Sequence, residues 1–222
     1  MILYLASKSG SSWSLRPWIL MRELRIAFEE RVVPFAPGSS YDRFREFSPT
    51  GRLPCLLDGD DAIWDSLAIV EHLAERHPGV WPDDRRARSW ARSASAEMHS
   101  GFAALRQTCP MTFAPNPPIA LPREDLARDI ARLDDLWTEG LSRFGGPFLT
   151  GDRFTAVDAF FTPVAFRFRA YGLRAGSHAM AYVERLLQLD GMKEWHLAAA
   201  EEVQQSAHGS SQAAGARRLA QK

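Results

Sequence analysis

Apolar positions in the first eighty residues follow two periodicities, one typical of strands and one typical of helices. Short apolar runs predict strands, and apolar residues three or four positions apart predict helices. The elements predicted in this way are, in chain order, a strand at 2–5, a helix at 14–24, a strand at 30–35, a short helix at 41–47, strands at 53–57 and 62–64, and a helix from 65. Asp58-Gly59 between the last two strands is a strong hairpin signal. The pattern therefore predicts a βαβ unit followed by a ββα unit.

Strand patterns stop at a stretch rich in proline and glycine, residues 77–83. Beyond it every apolar pattern is helical, over 83–107, 123–143, 155–171, 178–188 and 190–203. Five prolines make 109–122 a predicted loop between two long helices. We therefore expect an α/β domain at 1–76, a linker at 77–83, an all-α helical bundle domain at 84–203 and a flexible tail at 204–222.

Composition excludes several classes of protein. The chain has 222 residues, 45% of them apolar, which is enough to bury a substantial core. Lys plus Arg and Asp plus Glu are 27 each, so no net charge favours nucleic acid or a membrane surface as a partner. No apolar run of about 18 residues predicts a membrane span, and the apolar run ending at Leu5 is too short for a signal peptide. Cys55 and Cys109 are the only cysteines and have no histidine at ligand spacing. We therefore expect a cytoplasmic protein without a metal site.

Three hydroxyls, on Ser11, Ser12 and Ser14, fall where the first strand should pass into the first helix. The first N–H groups of a helix lack intrahelical partners and carry the positive end of its dipole. Hydroxyl donors at this point favour a bound anion such as a thiolate.

The order of these motifs resembles the glutathione transferase family. Its thioredoxin-like N-terminal domain has hydroxyls at the first turn, a proline opening the third strand and an acidic-Ser pair before the last helix; its C-terminal domain is all-helical. The resemblance extends over about residues 2–203. The segment Ser11-Ser12-Trp13-Ser14-Leu15-Arg16 is similar to the zeta-class signature Ser-Ser-Cys-Ser-Trp-Arg, and closer to a bacterial branch with Ser-Ser-Trp-Ser-Leu-Arg-Pro-Trp.

The resemblance implies a chemistry for the serines. Glutathione would bind as co-substrate, and a serine hydroxyl would stabilise its thiolate for attack on a small electrophile. Alignment with the signature puts Ser11 in the catalytic position, with Ser12 as the alternative and Ser14 as a plausible N-cap of the helix.

The resemblance also implies residues that hold glutathione. Leu53-Pro54 matches the family's cis-proline, beside the cysteinyl portion, and Asp65-Ser66 matches the acidic-Ser pair that holds the γ-glutamyl carboxylate. Asp65 or Ser66 also suits a helix N-cap. Two arginines have open roles: Arg16 either orients the tripeptide or pairs with an acid, and Arg52 either contacts the glycyl end or lies solvated in its loop.

The electrophile would lie against the helical domain. Our candidates for this pocket are Trp13, His99, Phe102, Arg106 and Met111, although His99 and Met111 also suit ordinary packing. Thr155 and Asp158 match the family's capping box, which is structural.

Three alternatives to a glutathione transferase of the conjugating or reductive type remain. Trp13 stands where the zeta signature has cysteine, which weakens a maleylacetoacetate-like isomerase. A binding module without turnover would keep the same fold. A thiol-disulfide oxidoreductase would need a cysteine at the first turn. The resemblance also implies a homodimer.

Overall fold

The computed structural model describes residues 1–35, 38–113 and 116–219, with side chains through residue 205. Residues 114 and 115 of the predicted proline-rich loop and 220–222 of the predicted tail lie outside these ranges. Within them, the chain folds into a mixed sheet with helices, followed by an all-helical half.

The first half has the predicted βαβ–ββα order. Its elements are β1 (Ile2–Leu5), α1 (Ser12–Glu23), β2 (Glu29–Val32), α2 (Tyr41–Arg45), β3 (Cys55–Asp58), β4 (Asp61–Ile63) and α3 (Ser66–Ala74). The strand order is β2-β1-β3-β4; β1 is parallel to β2 and antiparallel to β3, and β3 is antiparallel to β4. The predicted thioredoxin-like sheet is confirmed.

The β3–β4 hairpin is tight because of one glycine. Asp58 pairs with Asp61, so Gly59 and Asp60 form the turn. Gly59 has φ of 62°, a left-handed conformation that glycine adopts without steric cost. This turn directs the chain back along the sheet to the start of α3.

The second half is helical, as predicted. Its helices are α4 (Arg85–Ser100), α5 (Ala103–Thr108), α6 (Glu124–Phe144), α7 (Ala156–Tyr171), α8 (Ser177–Gln188) and α9 (Asp190–Leu219). The chain between Ala74 and Arg85 joins the two halves.

Helix α7 lies at the centre of the molecule. Every residue from Ala156 to Phe168 is buried, including the polar residues Asp158, Thr162 and Arg167. Helices α1, α4 and α8 pack against it. Because α1 contacts both the sheet and α7, it connects the cores of the two halves.

The predicted capping box begins α7. The hydroxyl of Thr155 accepts from the backbone N–H of Asp158, and the Asp158 carboxylate accepts from the backbone N–H of Thr155 at 2.9 Å. That carboxylate is fully buried and also accepts from the N–H of Leu149 and the hydroxyl of Tyr182. It therefore joins the start of α7 to α8 and to the preceding turn.

Two helices differ from the sequence prediction. The single helix expected over 83–107 is two, because Phe102 adopts a left-handed φ of 57° after Gly101. A Cβ on Gly101 would lie 2.8 Å from the carbonyl oxygen of Glu97. The last helix was expected to end at Val203, with a flexible tail beyond it, but α9 continues to Leu219. Residues 204–219 contain no proline and are rich in alanine and glutamine, which favour helix.

Candidate functional site

The serine cluster lies at the junction of β1 and α1. Ser11 is the N-cap of α1, and its Oγ accepts from the backbone N–H of Ser14 at 3.3 Å. The hydroxyl of Ser11 donates to Ser14 Oγ at 2.7 Å, and Ser14 Oγ also accepts from the backbone N–H of Ala6 at 3.2 Å. The predicted N-cap role of Ser14 is therefore wrong. Ser14 is a fully buried link between β1 and α1.

Ser11 opens onto a groove of about 610 Å³, which we call the Ser11 groove. Its walls are the start of α1, the chain before β3 and the segment before α2; the lining residues include Ser11, Trp13, Ser39, Tyr41, Arg52 and Leu53. Ser12 and Ser14 do not line it. Because Ser11 caps α1, the positive end of the helix dipole faces the same space.

The wall before β3 has the backbone geometry that the resemblance implies. The peptide bond between Leu53 and Pro54 is cis. Arg52 is exposed at the groove, and its carbonyl oxygen accepts from the hydroxyl of Ser48 at 2.7 Å. Pro54 is buried beneath this wall together with Cys55, whose thiol pKa is raised by burial. Burial suits a structural cysteine and not a nucleophile.

Asp65 and Ser66 lie at the start of α3, and neither is among the residues that line the Ser11 groove. Asp65 is the N-cap, and its carboxylate accepts from the backbone N–H of Leu67 at 3.0 Å. The other carboxylate oxygen lies 3.2 Å from Nε2 of His99. The Oγ of Ser66 is buried and has no hydrogen-bond partner among the described residues. A buried hydroxyl without a partner is uncommon and can accept or donate to a ligand.

Arg16 is completely buried and does not line the groove. Its guanidinium lies over the rings of Trp13 at 4.2 Å and Phe160 at 4.8 Å, and none of its nitrogens has a hydrogen-bond partner within the described ranges. Burial holds its pKa well below the usual value, and the charges of Arg106 and Arg167 act in the same direction. The structure thus gives Arg16 neither an acidic hydrogen-bond partner nor a place on the groove surface.

Trp13, His99 and Arg106 come together where the two halves meet. The His99 ring meets Trp13 edge-on at 5.1 Å, and the Arg106 guanidinium lies 4.7 Å from the Trp13 ring. The Arg106 Nε donates to the carbonyl of Gly101 at 3.0 Å. Burial lowers the pKa of His99, opposed by Asp65. Nε2 of His99 faces Asp65, and its buried Nδ1 has no hydrogen-bond partner among the described residues.

Phe102 and Met111 occupy the hydrophobic core. Each is 6% exposed and packs within the main apolar cluster. Both residues therefore contribute to core packing in the structure.

Two parts of the site were not predicted. The segment before α2 supplies Ser39 to the groove, and the first residue of α2 supplies Tyr41; the only sequence signal here is a run of polar residues after a strand. The turn before Ser11 is held by the far end of the chain: Glu202 accepts from the backbone N–H groups of Lys8 and Ser9, each at 2.9 Å. Nothing local in the sequence indicates this contact.

Among the described residues, no group of three or more His, Cys, Asp or Glu side chains could hold a metal ion. No helix in the same ranges combines the length and apolar character needed to cross a bilayer.

Comparisons with known proteins agree with this architecture. The model of the glutathione S-transferase N-terminal domain matches residues 10–76, and that of the C-terminal domain matches 119–196. A zeta-class glutathione S-transferase from Euphorbia esula is 27% identical over 169 residues, 72% of this chain and 73% of that protein. A stringent starvation protein A homologue from Pasteurella multocida is 26% identical over 182 residues, 79% of this chain and 81% of that protein.

A solved structure is similar over most of the chain. A glutathione transferase homologue from Burkholderia, with bound glutathione, has a TM-score of 0.64 at 21% identity and covers 90% of this chain and 97% of its own. At that identity the likeness shows a shared fold.

Proposed function

Because the chain belongs to the glutathione S-transferase family, we propose that it is an enzyme that binds glutathione in the Ser11 groove and adds its sulfur to a small electrophile. The observation that carries the proposal is the position of Ser11. Its hydroxyl caps α1 and lines a groove whose facing wall carries the cis Leu53–Pro54 bond. A hydroxyl donor and a helix N-terminus at one point stabilise a thiolate.

The groove suits a tripeptide. Its volume of about 610 Å³ lies within the range of roughly 300–1,000 Å³ usual for small-molecule sites. The backbone of Leu53 would pair with the cysteinyl portion, and Arg52 would contact the glycyl carboxylate. Asp65 and Ser66 would hold the γ-glutamyl end, which gives a ligand partner to the buried Ser66 hydroxyl.

Ser14 would help Ser11 to reach the sulfur. Without ligand the Ser11 hydroxyl donates to Ser14 Oγ. Hydroxyl hydrogens rotate, so the same 2.7 Å pair can reverse, with Ser14 donating to Ser11 and Ser11 donating to the thiolate. Ser14 can do this while its Oγ still accepts from Ala6. Ser14 would thus be a positioning residue.

Thiol activation alone gives a modest rate gain. If the thiol pKa falls from about 8.5 to about 6.5, the thiolate fraction at pH 7 rises from roughly 3% to roughly 75%. The lower pKa weakens the nucleophile by roughly eightfold, so the net gain is about threefold. Most of the acceleration must therefore come from holding the electrophile against the sulfur, where Trp13, His99 and Arg106 lie beside the groove.

The test compares two adjacent serines. We expect Ser11→Ala to raise the pKa of the bound glutathione thiol, followed by thiolate absorbance, while calorimetry still detects binding. Ser12→Ala is the matched control, because Ser12 is buried to a similar degree and does not line the groove. Wild-type protein that does not bind glutathione would refute the proposal. Binding with an unshifted thiol pKa would instead indicate a binding module, and a loss confined to Ser12→Ala would reassign the catalytic serine.

A second candidate function is a glutathione-dependent isomerase of a maleylacetoacetate-like acid. The observation in its favour is the burial of Arg16 and Arg167 close to the half-buried Arg106, since buried charges usually have a partner. A substrate carboxylate would supply one. Cis/trans isomerisation of an unsaturated dicarboxylate, measured beside conjugation of a neutral aryl halide, separates the two functions. Isomerisation weakened by Arg106→Gln, with conjugation unchanged, would favour the isomerase.

A further inference from the structure

The last helix holds the turn that carries Ser11. The backbone N–H of Lys8 donates to one carboxylate oxygen of Glu202, and the N–H of Ser9 donates to the other, each at 2.9 Å. One carboxylate thus accepts from two consecutive amides. Hydrogen bonds to an ionised acceptor are about twice as strong as neutral ones.

Those two amides begin a single tight turn that ends at Ser11. The N–H groups of Gly10 and Ser11 donate to the carbonyl of Ser7 at 3.2 and 2.9 Å. The amides of Gly10 and Ser11 therefore donate within the turn. The amides of Lys8 and Ser9 donate instead to Glu202 in α9. Glu202 caps this turn as an N-cap side chain caps a helix, but from the opposite end of the sequence.

A second residue of α9 binds the same turn. The indole N–H of Trp195 donates to the carbonyl of Lys8 at 3.0 Å. The ammonium of Lys8 lies 2.6 Å from the carboxylate of Glu30 in β2. The backbone of Lys8 is thus fixed on both sides by α9, and its side chain is fixed by the sheet.

We propose that Glu202 is a positioning residue for the thiol-stabilising hydroxyl of Ser11. The inference rests on the proposed function, because it assigns to α9 the task of holding the Ser11 turn against the groove. Without two acceptors the amides of Lys8 and Ser9 turn to water, and Ser11 no longer keeps one place beside the sulfur. The expected result is weaker stabilisation of the thiolate, since the residues that bind the rest of glutathione lie elsewhere.

The test uses two neighbouring glutamates. Glu202→Gln keeps the size of the side chain but replaces one acceptor oxygen with an NH₂ group, which faces a backbone N–H. Glu201→Gln is the control, because Glu201 is exposed on the same helix. For Glu202→Gln we expect amide hydrogen exchange at Lys8 and Ser9 to speed up on the order of tenfold. We also expect a higher pKa for the bound thiol and a lower kcat, with little change in KM for glutathione.

Each outcome decides the proposal. Exchange that does not change in Glu202→Gln overturns the contact, and faster exchange with an unchanged thiol pKa overturns the positioning of Ser11. A merely structural role would lower stability while leaving the thiol pKa and the kcat of the folded protein unchanged. If Glu202→Gln does not fold, Glu202→Asp, which is one methylene too short to reach both amides, takes its place. Wild-type protein that binds no glutathione refutes the proposed function, whereas the exchange comparison reports on the turn without ligand.

Discussion

The buried carboxylate of Asp158 makes the stability of the protein depend on pH. Burial raises its pKa to about 6 from the ordinary 3.8, although Leu149, Thr155 and Tyr182 donate hydrogen bonds that oppose the rise. A shift of about two units corresponds to about 3 kcal/mol, since one unit is about 1.4 kcal/mol. Because the folded pKa is the higher one, this stability is fully present below the unfolded pKa. It is lost as the pH rises through about 6.

Asp158→Asn removes the titration, because an amide does not ionise. We expect the difference in free energy of unfolding, wild type minus variant, to fall by about 3 kcal/mol between about pH 3 and pH 7. Urea unfolding across this range, followed by both tryptophan fluorescence and circular dichroism, measures the difference and checks two-state behaviour. Asp152→Asn controls for the loss of one negative charge, since Asp152 is exposed. A difference that stays constant with pH would show that Asp158 does not titrate here and would refute the reasoning.

Three substitutions test hydrogen bonds and packing in the fold by urea denaturation. Ser14→Ala leaves the buried N–H of Ala6 without its acceptor and should lower the free energy of unfolding by about 1–3 kcal/mol. If the variant is as stable as the wild type, the hydrogen bond between Ala6 and Ser14 does not stabilise the fold. Thr155→Ala removes the side-chain cap of α7 and should lower the free energy of unfolding by about 0.5–2 kcal/mol. An unchanged urea midpoint would contradict the capping role of Thr155. Gly140→Ala places a Cβ 2.5 Å from the ring of Trp90 and 2.9 Å from the carbonyl oxygen of Leu149, and should cost about 1–3 kcal/mol. An unchanged midpoint would contradict this close packing.

The fold was predictable because its signals are local. Asp58-Gly59 is a strong signal for a two-residue hairpin, and Thr155 with Asp158 is a signal for a helix start. The helix start lies where the sequence predicts it, and the hairpin turn falls one residue later, on Gly59 and Asp60. The break between α4 and α5 has only a weak signal, a single glycine: Gly101 is the C-cap of α4, but the apolar pattern continues through Phe102.

The candidate site was predictable only in its outline. Three serines within four residues all suit a helix start, and only the register of the turn shows that Ser11 caps the helix while Ser14 is buried. The burial of Arg16 depends on Phe160, which lies far along the chain in α7. A single sequence does not indicate which distant aromatic ring will cover a guanidinium.

Contacts between Glu202 or Trp195 and the turn near Lys8 also have a consequence for the order of folding. These hydrogen bonds join residues that are 187 to 194 positions apart. During synthesis the sheet can form early, because its strands all lie before residue 64. The turn that carries Ser11 gains its last acceptors only after α9 has emerged from the ribosome, since such long-range contacts form late. The candidate site is therefore completed only after Glu202 has been made, about 190 residues after its serine.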